Sequence, residues 1–302
     1  MTNNLDGRRA LVVLNPVSGQ RTAKPHLLNI TALFNASGVE TTVYTTRCRG
    51  DATEIVRRKG DEFDVIVCRG GDGTFNETVS GVMLLERPPL LGYIPAGSTN
   101  DLAKTLGIPT DNREAIDIIL NGQPLWNDVG CLNGGAYFAY TASFGAFTET
   151  SYDTPQKLKN RLGHTAYLVQ ATKAVKDIHP IPLRVKTAEG FEAQGEYVFC
   201  SVSNSTSIAG VVKLNRRDVG LNDGKFELLL VKYPKNAAEW AKRIKEILLR
   251  QFRGEEIQLL HTSRAEFEFE DMVPWTLDGE YAGAHDAAVV ENIHNAVQIF
   301  RR

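Results

Sequence analysis

Short apolar runs alternate with amphipathic segments through the first 125 residues of the chain. The apolar runs predict four strands, at residues 9–14, 40–45, 65–68 and 90–94. Between and after them, apolar residues recur at helical spacing, and several of these segments start with Asn or Asp and end with Gly. They predict five helices, at residues 24–36, 51–59, 76–85, 100–106 and 112–121. Alternating strands and helices are typical of a doubly wound α/β domain.

The pattern changes after Pro124, where short β-like segments separated by turns replace the earlier alternation. These segments predict seven strands, at residues 129–132, 136–143, 183–187, 197–203, 226–232, 256–260 and 264–270. Two helical insertions are predicted, at residues 154–177 and 235–252. We therefore expect an N-terminal α/β domain at residues 1–126 and a C-terminal, antiparallel β-rich domain at residues 127–289.

Composition and charge narrow the class of protein. The chain has 302 residues, of which 42% are hydrophobic, enough for two modest cores. The net charge of −2 provides no basic field for nucleic acid, so we expect no such partner. No apolar run approaches the ~18 residues of a membrane-spanning helix. The four cysteines are scattered, which favours reduced thiols and a cytoplasmic protein.

A glycine-rich loop between the third strand and the next helix predicts a phosphate site. Gly70, Gly71 and Gly73 can adopt positive φ and let backbone N–H groups approach an anion, and the N-terminus of the following helix attracts negative charge. Thr74 adds a hydroxyl, and Asp72 adds a carboxylate suited to Mg²⁺ or to fixing the loop. A tight strand-to-helix turn would show the same glycines.

Two more polar loops follow predicted strands. One is Asn15-Pro16-Val17-Ser18-Gly19, and the other is Pro95-Ala96-Gly97-Ser98-Thr99-Asn100-Asp101. In an open parallel sheet, the loops that follow the carboxyl ends of the strands gather along one edge. We expect all three loops to face one ligand.

At these motifs the chain resembles the diacylglycerol kinase catalytic family, bacterial lipid kinases related to sphingosine kinases. The three loop motifs match in order and spacing, and Leu277-Asp278-Gly279-Glu280 is similar to the family's acidic site. The Gly-Gly-Asp-Gly element is shared with NAD kinases and is similar to that of phosphofructokinases, but the third motif resembles the lipid-kinase version. Ser98 stands where threonine is usual and keeps the hydroxyl. The resemblance implies an NAD kinase/phosphofructokinase-like domain to which a last strand, at residues 290–302, returns.

The resemblance also implies ATP and Mg²⁺ as cofactors and a set of nucleotide contacts. These contacts are Asn15, Pro16, Val17, Ser18, Gly19, Thr46, Gly70, Gly71, Asp72, Gly73, Thr74, Phe75, Asn76 and Ser98. The chain has no Walker-A lysine, because the look-alike segment that ends at Lys225 has the wrong spacing. Mg²⁺ must therefore supply much of the charge that offsets the phosphates.

Two acidic segments are candidates for catalysis and metal binding. Asp278 and Glu280 flank a glycine, so both carboxylates can reach one site and one pKa can rise toward neutral pH, although Asp-Gly pairs are also ordinary turns. The resemblance implies that this tripeptide holds the general base, with Glu280 first and Asp278 second. It further implies that Asp223, with backbone carbonyls near Gly220 and Lys225, binds Mg²⁺. Asp223-Gly224 is also a typical hairpin turn.

The sequence thus predicts an ATP-dependent lipid kinase that transfers the γ-phosphoryl group to a lipid hydroxyl, with diacylglycerol as the leading acceptor and phosphatidic acid as product. The alternatives are an NAD kinase, a kinase for a sphingoid base, ceramide, phosphatidylglycerol or undecaprenol, and a non-catalytic nucleotide-sensing regulator. We expect peripheral contact with a membrane. Apolar residues at 240–252 within a basic helix, and a second basic patch at 157–161, could meet the bilayer, or the helix could cover the β-rich domain. A homodimer is a further open expectation.

Overall fold

A computed structural model describes residues 5–18, 23–146, 178–208, 212–252 and 254–302 of the chain. The predicted helical insertion at 154–177, the basic patch at 157–161 and Gly19 lie outside the described residues. Among the helices that the structure describes, none combines the length and the apolar character needed to cross a bilayer.

The N-terminal part is a parallel sheet with helices on both faces. Its strands are β1 (Arg9–Leu14), β2 (Glu40–Thr45), β3 (Val65–Gly70) and β4 (Leu90–Pro95). Its helices are α1 (Ala23–Ala36), α2 (Asp51–Lys59), α3 (Asp72–Val82), α4 (Asp101–Leu106) and α5 (Asn112–Asn121), with a 3₁₀ turn at Gly60–Glu62. The strand order is β2-β1-β3-β4 and all pairs are parallel. The chain therefore leaves β1 and β3 in opposite directions, and a ligand crevice is expected outside their carboxyl ends.

The C-terminal part is built mainly from antiparallel strands. They are β5 (Pro124–Leu132), β6 (Ala136–Phe138), β7 (Thr141–Gly145), β8 (Ile181–Thr187), β9 (Glu192–Ser203), β10 (Ser207–Ile208), β11 (Val212–Lys213), β12 (Phe226–Lys232), β13 (Ile257–Thr262), β14 (Arg264–Leu277) and β15 (Glu280–Phe300). One helix, α6 (Ala237–Leu248), lies between β12 and β13.

β15 joins the two parts of the molecule. Its first half pairs with β14, its second half pairs with β5, and Ile299 pairs with Leu91 of β4 in parallel. All described strands except β10 and β11 consequently belong to one sheet of 13 strands. The domain boundaries expected near residues 126 and 290 fall inside β5 and β15, so they divide continuous strands.

Several predicted elements differ from the observed ones. The helix predicted from residue 76 begins at Asp72, because the extended Gly71 precedes a first turn made of the glycine motif itself. The strand predicted at 136–143 is two strands, interrupted at residues 139 and 140. β15 is 21 residues long, although only its end reads as an apolar run. Its polar middle contains a bulge, where the register shifts and Asn295 has φ 49.

The helix near residue 240 covers the sheet, which is one of the two roles considered for it. Trp240 of α6 is buried and its ring lies 6.1 Å from that of Tyr233. Arg243 is also buried and forms ion pairs with Glu246 and Glu256. The end of the helix remains exposed at Leu248 and Leu249, so these two apolar side chains face outward.

Candidate active site

Three loops meet at the carboxyl ends of β1, β3 and β4. The backbone N–H of Asn15 donates to the carbonyl of Arg69 at 3.0 Å, and Asn15 Nδ2 donates to Thr74 Oγ1 at 2.9 Å. From the other side, the N–H of Ala96 donates to the carbonyl of Gly70 at 2.7 Å. The loops after β1 and β4 are therefore both tied to the turn between β3 and α3.

Neighbouring atoms lie so close to the backbone of these loops that only glycine fits at several positions. A Cβ added to Gly97 would lie 2.7 Å from the Cα of Gly71, and a Cβ on Gly70 would lie 2.6 Å from Thr74 Cβ. The expectation of positive φ is wrong here, since Gly70, Gly71 and Gly73 all lie outside the left-handed region. Their missing side chains leave space where the two turns pass each other.

The first turn of α3 presents backbone donors to the crevice. Its first helical hydrogen bond runs from Phe75 N to the carbonyl of Gly71 at 3.0 Å. The N–H groups of Asp72, Gly73 and Thr74 therefore have no acceptor within the helix. Together with the positive end of the helix dipole, they form an arrangement that suits a phosphate.

Asp72 fixes the loops to one another. Its buried carboxylate accepts hydrogen bonds from the N–H of Asp101 at 3.0 Å, from the Tyr93 hydroxyl at 3.3 Å and from Thr99 Oγ1 at 3.4 Å. Burial raises the pKa of Asp72, and the N–H of Asp101 opposes that rise. Of the two roles considered for this side chain, loop fixing is the one that these contacts carry out.

The other predicted nucleotide contacts lie around this turn in different environments. Val17 is 79% exposed, Ser18 Oγ donates to the carbonyl of Asn15 at 2.9 Å, and Ser98 is exposed. Thr46 is buried, and its N–H donates to the carbonyl of Leu14 at 2.9 Å. Pro16 is half-buried beside Asn15, and Asn76 accepts a bond from Ser80 at 3.2 Å.

Phe75 differs from these residues because its ring is in the core, 4.5 Å from the ring of Tyr93. Its backbone N–H donates to the carbonyl of Gly71 in the first helical hydrogen bond of α3.

Glu280 reaches the first turn of α3 from the C-terminal part. A Cβ on Gly73 would lie 3.3 Å from Glu280 Oε1. The other carboxylate oxygen, Oε2, lies 3.3 Å from Arg49 Nη2. Arg49 is in the loop between β2 and α2, which Glu77 of α3 anchors by accepting the N–H of Gly50 at 2.8 Å. The acidic residue and the expected phosphate site are thus adjacent.

Asp278 is in a different environment from Glu280. Asp278 and Gly279 have φ of 49° and 84° and form a two-residue hairpin turn between β14 and β15. The buried Asp278 carboxylate accepts the N–H groups of Ala139, Tyr140 and Thr141 at 2.6, 3.0 and 2.8 Å. Burial raises its pKa to about 7, although the three N–H groups lower it. Asp278 therefore binds the backbone of residues 139–141. The side chain of Glu280 is 54% exposed and faces the crevice.

The Asp223 loop is held by hydrogen bonds with Asp128. Asp223 Oδ1 accepts the N–H of Lys225 at 3.0 Å, and a Cβ on Gly220 would collide with the same carboxylate. The buried Asp128 accepts the N–H of Gly224 at 2.8 Å. Carboxylate and carbonyl oxygens are the donors that Mg²⁺ prefers, so the loop fits that ion.

Asp128 also binds the bulge of β15. Its Oδ1 accepts the N–H of Asn295 at 2.8 Å and lies 3.0 Å from His294 Nδ1. In the part of the chain that the structure describes, no group of three or more His, Cys, Asp or Glu side chains could hold a metal ion, so a cation beside Asp223 would also need backbone carbonyls and water as ligands.

A buried carboxylate follows the Asp223 loop in the sequence. Glu227, on β12, has no exposed surface. Burial, with a smaller contribution from the charge of Asp223, raises its pKa to about 9.

Comparison with known proteins places this site in a family. Residues 9–132 match the model of the diacylglycerol kinase catalytic domain. A diacylglycerol kinase of Bacillus subtilis strain 168 is 37% identical over 283 residues, which cover 91% of each chain. The chain belongs to the diacylglycerol kinase catalytic domain family. The predicted family and the lipid-kinase class of enzyme are confirmed.

Solved structures show that this member of the family has an NAD kinase-like fold. A diacylglycerol kinase structure from Bacillus anthracis strain Sterne has a TM-score of 0.75 at 22% identity and covers 98% of this chain and 97% of that chain. Yeast NADH kinase complexed with NADH has a TM-score of 0.54 at 11% identity, and the similarity covers 98% of this chain and 83% of that chain. The coarse prediction, an α/β protein with a strand-rich C-terminal part, is confirmed.

Sequence reasoning missed several residues that the structure places beside the predicted site residues. Arg49 could have been found from its position, because it follows the carboxyl end of a parallel strand, as the three motifs do. Asp128 could have been noticed as a charged residue within an apolar strand. His294 contacts Asp128 only through the fold, since nothing in the local sequence links the two residues.

Proposed function

We propose that the protein is an ATP-dependent lipid kinase that transfers the γ-phosphoryl group to the hydroxyl of diacylglycerol and forms phosphatidic acid. The observation that carries the proposal is the position of the Glu280 carboxylate beside Gly73, in the first turn of α3. Phosphoryl transfer needs a phosphate cradle and a group that receives the proton of the acceptor hydroxyl. In the proposed site, the phosphate cradle and the proton acceptor both lie at the first turn of α3.

The proposed nucleotide site is formed by the loops after β1, β2, β3 and β4. The free N–H groups of α3 would bind phosphate oxygens, and the Asn15 loop, Thr46 and Ser98 would line the remaining sides. Bound ATP supplies the phosphoryl group that is transferred. The close passage of Gly71 and Gly97 supports this assignment, because larger side chains there would fill the space beside the α3 N-terminus.

The proposed general base is Glu280. Its carboxylate would accept the hydroxyl proton of the lipid, and the hydroxyl oxygen would attack the γ-phosphorus of ATP as the bond to the β,γ-bridging oxygen breaks and ADP leaves. Asp278, whose oxygens already accept three backbone N–H groups, would position the hairpin that carries Glu280 and the backbone at residues 139–141. The alternative in which Asp278 is the base would require it to give up those bonds.

We also propose that Asp223, with backbone carbonyls near Gly220 and Lys225, binds Mg²⁺, which would stabilise the loop. We propose that the protein is cytoplasmic and, because diacylglycerol is a membrane lipid, that it makes peripheral contact with a bilayer surface. The two-domain division and a homodimer remain predictions. Light scattering after size-exclusion chromatography tests the homodimer.

Acceptor assays with labelled ATP test the proposed function. Diacylglycerol in mixed micelles should be phosphorylated, whereas NAD, a sphingoid base, ceramide, phosphatidylglycerol and undecaprenol should not be. Phosphorylation of NAD alone would select the NAD kinase alternative. Tight nucleotide binding without any transfer would select the nucleotide-sensing regulator.

A further inference from the structure

A cavity of about 310 Å³ lies beside the last turn of α4. Thr105 of that helix and residues 219–222 line it, together with Arg216 from the segment between β11 and β12 and Arg301 after β15. None of the predicted nucleotide contacts or catalytic acids lines it, and Gly220 is the only residue that it shares with the predicted metal ligands. Its volume is at the lower end of the range for small-molecule sites.

The two arginines of the cavity have no acidic partner. The exposed side chain of Arg216 forms no ion pair or hydrogen bond with any residue that the structure describes. Arg301 Nε donates to Asn127 Oδ1 at 2.8 Å and its Nη2 donates to the carbonyl of Trp126 at 3.2 Å, and both acceptors are neutral. Its other N–H groups remain for a further acceptor. Burial lowers the pKa of Arg301, a change that a nearby anion would oppose.

The acidic residues of the surrounding segments are engaged elsewhere. Glu114 forms an ion pair with Arg302 at 3.7 Å. Asp218 Oδ2 accepts a side-chain amide N–H at 3.1 Å, and Asp223 Oδ1 accepts the N–H of Lys225 at 3.0 Å. None of these acids lines the cavity. The lining residues therefore bring two positive charges and no negative one.

The wall formed by α4 is fixed and polar. The buried Thr105 Oγ1 lies 2.8 Å from Ser205 Oγ and accepts the N–H of Thr206 at 3.3 Å. Thr206 also lines the cavity, and Asn222 adds a side-chain amide on the opposite segment. Hydroxyl and amide groups thus stand beside the two guanidinium groups, and hydrogen bonds between separate segments hold the wall in place.

The arginines also have contacts that would exist without a ligand. Arg216 Nη2 would lie 3.6 Å from a Cβ on Gly107, at the C-terminal end of α4, where a cation is favourable. Arg301 holds β5 through its two hydrogen bonds. These contacts explain the positions of the arginines but not the lack of an acid between them. Two positive charges at one cavity repel each other, and an anion would offset both.

We propose that this cavity binds a phosphomonoester or inorganic phosphate, with Arg216 and Arg301 as its charged contacts. Guanidinium groups bind phosphate oxygens through paired, charge-assisted hydrogen bonds. A phosphomonoester carries a charge of about −1.5 to −2 near pH 7, which matches two unpaired arginines, whereas a carboxylate carries only one charge. The phosphate group can belong to a free small molecule or to a lipid headgroup. This site is separate from the proposed phosphoryl transfer and does not depend on it.

Thermal melting and calorimetric titration with sodium phosphate, balanced in ionic strength with sodium chloride, test the site. The wild-type melting temperature should rise, and Arg216→Gln should weaken phosphate binding by about 10-fold or more. Arg217→Gln, which changes the next arginine, also exposed but outside the cavity lining, is the matched control and should respond as the wild type does. General stabilisation by phosphate, or phosphate bound at α3, would be the same in all three proteins.

Two further probes distinguish the sources of the phosphate group. A free ligand predicts that glycerol 3-phosphate stabilises the wild type and Arg217→Gln but not Arg216→Gln. A lipid headgroup predicts that phosphatidylcholine vesicles sediment the protein only when they contain phosphatidic acid, and that Arg216→Gln loses this binding while Arg217→Gln keeps it. Either result supports the site.

Arg301→Gln provides a second variant, which should also weaken the response to phosphate. Only the shift on adding phosphate is compared, because this variant also loses the hydrogen bonds to Asn127 and Trp126. The inference is wrong if Arg216→Gln keeps both the wild-type response to phosphate and the wild-type vesicle binding. It is also wrong if acetate gives an equal shift that depends on Arg216. The acceptor assays with labelled ATP decide the proposed function independently of these results.

Discussion

Arg49 and Glu280 form an ion pair across the crevice, with 3.3 Å between Arg49 Nη2 and Glu280 Oε2. Arg49 also donates to the carbonyl of Tyr281 at 3.4 Å. Both side chains of the pair are more than half exposed, so the pair contributes little to stability. Its importance is its location, since it connects the loop after β2 with the hairpin that carries the proposed base.

Removing the Glu280 carboxylate should abolish most of the turnover. We expect Glu280→Gln to lower kcat by about 100-fold or more, because the amide cannot accept the proton of the lipid hydroxyl. The KM for ATP and the melting temperature should change little, since the side chain is partly exposed. Initial rates and thermal melting measure these effects. Asp286→Asn, an exposed acid on the same strand, is the control, and near-wild-type turnover in Glu280→Gln would contradict the assignment.

Arg49 should affect nucleotide binding more than folding. It is a cation beside a crevice that has no Walker-A lysine, so we expect Arg49→Ala to raise the KM for ATP several-fold. The free energy of unfolding should change by no more than about 0.5 kcal/mol. Steady-state kinetics at varied ATP and denaturant unfolding give the two numbers. Arg58→Ala, on the exposed side of α2, should alter neither, and an unchanged KM in Arg49→Ala would exclude a role in nucleotide binding.

Asp278→Asn should destabilise the protein. The amide nitrogen that replaces one carboxylate oxygen would face either the N–H of Ala139 or those of Tyr140 and Thr141, so at least one buried donor loses its acceptor. Such a loss costs about 1–3 kcal/mol, which denaturant unfolding can measure. The same substitution at the exposed Asp286 should have little effect. Stability equal to the wild type would mean that the three backbone bonds contribute nothing.

Gly97→Ala should force the two glycine turns apart. The new Cβ would lie 2.7 Å from the Cα of Gly71, a backbone atom that cannot rotate away. We expect a loss of about 1–3 kcal/mol in stability and weaker binding of a non-hydrolysable ATP analogue. Gly135→Ala is the control, since nothing lies within 4 Å of its Cβ position. If Gly97→Ala binds the ATP analogue as tightly as the wild type, the close approach of the two glycine turns is not required for nucleotide binding.

The carboxyl of Asp51 should titrate well below its ordinary range. Hydrogen bonds from the Arg47 side chain lower the pKa of Asp51 from 3.8 to about 2. Because the folded-state pKa is the lower one, the stabilisation is present above about pH 4 and is lost as pH falls through 2. Carbon-13 NMR titration of this carboxyl should show the low midpoint, and Arg47→Ala should raise it. Arg58→Ala should leave it unchanged, while a wild-type midpoint near 4 would contradict the prediction.

Local signals in the sequence were sufficient to predict the secondary-structure elements and the loops that form the crevice. The observed bounds of β1, β2, α2 and α5 match the predicted ones, because periodicity, caps and glycines are local signals. The three glycine and asparagine motifs lie together because parallel strands place their carboxyl ends at one edge.

The different environments of the acidic groups depend on long-range contacts. Asp278 and Glu280 are neighbours on one turn, but only the fold brings the N–H groups of residues 139–141 to the first and Arg49 to the second. The burial of Glu227 and the path of β15 through both parts of the sheet were likewise decided by long-range pairing. Charge compensation and solvent exposure depend on which distant segments meet, and no local pattern encodes that.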